Sequence, residues 1–169
     1  MAFNLTTAGA IHASLAMGGI LIGLVQLFRL KGTRVHRALG YAYVYGMVVA
    51  DGTALLIYQF TGRFNILHIG AIANLLCIVV AIVPVLRNPR PPNWKTWHYR
   101  WMSWSYVGLL AAASTELVAR TSHLATLGQA WMATALVSGL VTVTGAVLIR
   151  RYWPVSATQP GLGDANNRA

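Results

Sequence analysis

Apolar residues in this chain fall into long runs separated by short polar segments, with neither strand-like alternation nor the narrow stripe of a soluble helix. Five runs stand out, at about 7–28, 39–60, 66–86, 101–122 and 129–153. Each reaches the roughly 20 residues that an α-helix needs to cross hydrocarbon. The pattern therefore predicts an all-α integral membrane protein, a five-transmembrane-helix bundle formed by residues 1–153 as one domain. Residues 154–169 are polar and contain glycine and proline, and are expected to form a disordered tail.

Composition agrees with the pattern. With 56% hydrophobic and 9% charged residues, the chain lacks the polar surface of a water-soluble domain, which carries about 25% charged residues. A net charge of +10 would ordinarily suggest nucleic acid. Here the cations sit in short segments between apolar runs: Arg29, Lys31, Arg34 and Arg37 after the first, Arg87, Arg90, Lys95 and Arg100 after the third, Arg150 and Arg151 at the end of the fifth. The connection after the second run has only Arg63, and Arg120 precedes the one after the fourth. This distribution predicts an outside N-terminus, a cytoplasmic C-terminus and the lipid bilayer as partner, with no role for nucleic acid.

Finer features fill in the bundle. Trp94, Trp97, Trp101 and Trp104 suit an interfacial aromatic belt. Gly19 and Gly23 form a small-residue pair for close helix contact, inside the chain or in a homodimer. Cys77 is the single cysteine, which excludes an intrachain disulfide. The N-terminus has no basic segment and no cleavage-site pattern, so the first run is expected to be a retained span. The fifth run holds no ionisable group between Trp131 and Ile149 and is expected to lie at the periphery.

Ionisable residues inside the runs carry the candidate chemistry, because a charge in hydrocarbon must be neutral, paired or metal-bound. His12, Asp51, His68 and Glu116 fall in the expected outer half, with Asp51 about 13 Å from the outer end of its span. His123 lies at the outer boundary, and Glu116 is one helical turn from Arg120, the spacing of a structural ion pair. His36 and His98 lie at the cytoplasmic side. Helical steps put His12 with Gly19, Gly23 and Gln26, His36 with Tyr43, Met47 and Asp51, and His98 with Ser105 and Glu116 on common faces.

Two cofactor arrangements follow. Zinc or copper would use His12, Asp51, His68 and Glu116, with His123 in reserve. Haem b would use opposed histidines, His12 with His68 outside and His36 with His98 inside. Both suit electron transfer or cofactor handling. A metal-free proton or solute path from His36 through Asp51 to Glu116, a metal-dependent hydrolase with Asp51 or Glu116 as base, and a structural subunit of a larger membrane complex are the alternatives. No Walker loop, dinucleotide fingerprint, nucleophile elbow or Cys-x-x-Cys is present.

Residues His12, Gly18 and Gln26, the element His36-Arg37-x-x-Gly40-x-x-Tyr43, His68, then His98, Arg100, Trp101 and Met102, and finally Arg120 resemble an uncharacterised family of predicted bacterial multi-spanning membrane proteins. The resemblance covers about residues 10–120. It implies a multi-pass protein of the bacterial inner membrane with intramembrane histidines and supplies no activity. At the level of architecture alone, the chain is also similar to small histidine-bearing proteins that assist maturation of haem-copper oxidases.

Overall fold

The computed structural model describes residues 6–58, 62–121 and 127–152. They form five helices: α1 Thr7–Phe28, α2 Arg34–Ala54, α3 Ile66–Leu86, α4 Trp94–Thr121 and α5 Leu127–Arg151. His123 and the expected tail lie outside the described residues, as does the side chain of Arg120.

Local chemistry sets the helix ends. Thr6 caps α1 by accepting from the Gly9 amide at 3.2 Å. At the other end the Lys31 ammonium donates to the carbonyls of Gln26, Leu27 and Arg29, closing the terminus with a cation. Gly32 then turns the chain at φ 81, and Thr33 caps α2 by accepting from the His36 amide at 3.1 Å. Asn65 and His68 form a reciprocal capping box at the start of α3.

Two helices depart from the hydropathy boundaries. α2 starts at Arg34 and stops at Ala54, instead of spanning 39–60. The Thr53 hydroxyl donates to the carbonyls of Val49 and Ala50 at 2.9 and 2.8 Å. The chain then leaves through tighter bonds from Leu56 to Thr53 and from Ile57 to Ala54. Asp51 is accordingly about one turn, roughly 4–5 Å, from the end of its helix. The expected 13 Å was too deep. α4 begins at Trp94, seven residues before its apolar run, because a charged, tryptophan-rich segment still forms helix.

α1, α2, α3 and α4 pack as a ring in which each touches the next and α4 closes onto α1. α1 and α3 occupy one diagonal, α2 and α4 the other. α5 packs on α4, outside the ring. The centre is built on Tyr43, Met47, Ala50, Ile78 and Leu109. The Gly19 and Gly23 face is spent inside the chain: a Cβ at Gly23 would lie 2.2 Å from the Tyr106 ring, and one at Gly19 2.8 Å from the Met47 sulfur. Tyr106 crosses that gap to donate to the Ile20 carbonyl at 3.1 Å.

The outside of the bundle is apolar. Met17, Leu21, Leu76, Leu136, Leu140 and Val143 are more than half exposed on α1, α3 and α5. These three helices are long and apolar enough to cross a membrane, α5 from Trp131. α2 and α4, of 21 and 28 residues, contain much of the polar interior.

Candidate functional site

The bundle has two chemically different ends. Arg29, Lys31, Arg34, Arg37, Arg87, Arg90, Lys95, Arg100, Arg150 and Arg151 mark the basic end, where α1, α3 and α5 finish and α2 and α4 begin. Asp51 and Glu116 mark the acidic end. Each ring helix carries one histidine: His36 of α2 and His98 of α4 at the basic end, His12 of α1 and His68 of α3 at the acidic end. Each pair thus lies on helices that face each other across the ring.

At the basic end the structure brings His36 and His98 together. Their ring centres are 6.4 Å apart, with 84° between the ring planes. Gln26 donates its side-chain amide to the His36 carbonyl at 2.9 Å, which leaves its Oε1 to accept from His36 Nδ1 at 3.0 Å. His98 Nδ1 donates to the Ala81 carbonyl at 3.2 Å. Since a carbonyl oxygen only accepts, both rings carry their proton on Nδ1 and present a lone pair at Nε2. Both histidines precede the apolar runs of their helices. Burial holds each below the ordinary value; His98 and then the Lys31 ammonium add to this at His36, and the Ala81 bond opposes it in part at His98. In each neutral imidazole Nε2 is therefore the nitrogen that can accept.

The acidic end is arranged differently. His12 Nδ1 donates to the Ala50 carbonyl at 2.9 Å, and its Nε2 lies 4.0 Å from a Glu116 carboxylate oxygen. Asp51, 6% exposed, accepts from the Asn74 amide at 2.8 Å. His68, in contact with the rings of Tyr58 and Phe64 at 4.8 and 4.9 Å between centres, accepts from the Asn65 amide on Nδ1 at 3.3 Å. Its neutral tautomer is therefore the opposite one, with the proton on Nε2. That buried atom and Asn74 Oδ1 have no hydrogen-bond partner among the described residues.

The four residues expected to bind zinc or copper do share one end. His12 meets Glu116, while Asp51 is engaged by Asn74 and His68 by its helix cap. Among the described residues, no three His, Cys, Asp or Glu side chains are grouped to hold a metal ion. Gln26 and Asn74 act here through roles that sequence reasoning did not assign. Asn74 had a signal, as a lone amide within an apolar run. The Ala81 carbonyl had none, because backbone groups leave no trace in composition.

Midway between the ends, the Tyr43 hydroxyl and Ser105 Oγ pair at 3.0 Å, both buried. A helical bundle with an apolar exterior and polar pairs such as Tyr43–Ser105 and Asp51–Asn74 inside has the organisation of a membrane protein. The chain belongs to the family described as "Predicted membrane protein (DUF2306)", whose model matches residues 9–154. Neither a curated protein nor a solved structure matches it.

Proposed function

We propose that this is a five-span protein of the bacterial inner membrane, with its basic end in the cytoplasm, that holds one haem through His36 and His98 and serves electron transfer or cofactor handling. The spacing of those two rings carries the reading. Two metal–nitrogen bonds of about 2 Å, with the radius of each ring, put axial imidazoles roughly 6 Å apart centre to centre. His36 and His98 stand at 6.4 Å. The hydrogen bonds from Nδ1 are those that orient ligating histidines and raise their basicity.

The nature of the cofactor follows from ligand number. A zinc or copper ion takes three or four protein ligands, and His36 and His98 offer two. Haem, which brings four nitrogens of its own, would need only two protein ligands, and His36 and His98 would supply them. When bound between two imidazoles it supplies reversible one-electron chemistry. His12 and His68, present in opposite tautomers, suit this role less well than the basic-end pair.

The test is an absorption spectrum of the detergent-purified protein, made without a histidine tag in haem-replete cells. A Soret band at about one haem per chain is expected, lost on His36→Ala or His98→Ala and kept on His12→Ala. A spectrum with no Soret band ends the haem reading. The topology has its own test, since a reporter fused after Ala169 is expected to be active in the cytoplasm.

The Asp51–Asn74 pair favours a second reading, a metal-free proton path with Asp51 as its buried carrier. It predicts proton flux into proteoliposomes that Asp51→Asn abolishes, from protein containing no haem.

A further inference from the structure

A groove of about 450 Å³ runs along the last two turns of α3 onto the basic end. Val79, Val80, Val83 and Pro84 line one side, and Trp97 of α4 the other; Arg87 and Pro91 close its lower end. Val79, Val83 and Trp97 are each more than 40% exposed, so the groove opens outward from the bundle. We propose that it binds an anionic phospholipid, with an acyl chain along Val79, Val83 and Trp97 and the phosphate on Arg87.

Three observations select this occupant. First, the groove has the direction of a lipid. It begins within α3, one of the helices apolar enough to span a membrane, and ends at a cation. Second, its wall is built from aliphatic side chains, proline and one indole, which suit a hydrocarbon chain.

Third, the charge is unbalanced. The chain has three acidic residues, and the two that are described, Asp51 and Glu116, lie at the opposite end. Among the described residues, no carboxylate faces the ten cations of the basic end. Neighbouring cations are already engaged: Arg90 donates to the Val85 carbonyl at 2.9 Å and lies over the Trp94 ring, where Lys95 also lies. Arg87 bonds through its backbone to Val83 and, among the described residues, is the one cation that lines the groove. A phosphodiester supplies the missing anion and accepts two parallel N–H donors from one guanidinium. The site is independent of any haem.

Native mass spectrometry of the detergent-purified chain, delipidated and then offered equal phosphatidylglycerol and phosphatidylcholine of the same acyl chains, tests this. One phosphatidylglycerol per chain is expected, in preference to phosphatidylcholine. Arg87→Gln is expected to lower that preference about fivefold, as for one basic side chain near an anionic headgroup. Arg150→Gln, which removes the same charge at the same end, is expected to leave it unchanged. Val83→Trp, which fills the groove from an exposed position, is expected to displace the bound lipid. Equal retention of the two lipids by the parent chain overturns the proposal without any variant. Equal effects of Arg87→Gln and Arg150→Gln also overturn it, since that is the behaviour of a diffuse basic surface.

Discussion

The two ends of the ring hold the same residue type in the same number, two histidines on facing helices, yet prepare them for different chemistry. At the basic end both Nδ1 atoms donate to oxygens, of Gln26 and of Ala81, and both Nε2 lone pairs are left to accept. At the acidic end His12 has the same tautomer but faces Glu116, whereas His68 accepts from a backbone amide and keeps its proton on Nε2. Histidine number and depth therefore do not define a cofactor site. The oxygen or amide behind each ring decides whether it offers a lone pair or a proton.

The sharpest way to break this contrast is to remove one imidazole from each end. His36→Ala and His98→Ala are each expected to abolish bound haem, while His12→Ala and His68→Ala leave its occupancy within about twofold, because second sites on the other diagonal contribute no axial bond. Loss of the Soret band in all four variants would make the ends equivalent and dissolve the distinction. A smaller effect is expected from Gln26→Ala, which removes the acceptor behind His36. Outer partners of this kind contribute about 10–100-fold in affinity, to be read as haem retained against a competing apo-protein. Gln26→Glu, which keeps an acceptor oxygen there, is expected to restore most of it.

How much of this contrast can be read from sequence depends on which physical signal each part uses. α1 and α3 have the boundaries that hydropathy gives, because their polar flanks are also where the caps lie. α2 and α4 do not, because hydropathy reports preference for hydrocarbon, whereas Thr33, Thr53 and the segment 94–100 govern helix continuation. The facing of His36 and His98 was legible as helical periodicity plus matched depth, and so was the peripheral place of α5. Their tautomers were not, since they depend on the Ala81 carbonyl and on how Gln26 turns. The buried state of Asp51 was legible, but its partner Asn74 and its short distance from the helix end were not.

At the acidic end the corresponding probe is Asp51. Asp51→Ala leaves the Asn74 amide buried without its acceptor, and thermal or denaturant unfolding in detergent is expected to show a loss of about 1–3 kcal/mol. Asp51→Asn keeps an oxygen facing that amide and is expected to lose less than half as much. If the two substitutions cost the same, the negative charge itself stabilises the fold, and the acidic end holds a cation-like partner in place of a neutral hydrogen bond.

The smallest expected effect is the pH response of the haem-free protein. Burial holds His36 and His98 below their ordinary value of 6.5, so between the folded and unfolded values the unfolded chain binds more protons. Stability therefore rises with pH through this window and falls as pH drops below about 6.5. On acidification the haem-free parent is expected to lose unfolding midpoint relative to the His36→Ala, His98→Ala double variant. The two half-buried rings make this a shallow slope, but its sign is informative. A parent that gains stability relative to the double variant on acidification would mean that folded His36 and His98 take up protons more readily than the unfolded chain, which is incompatible with two neutral rings held by Nδ1 bonds.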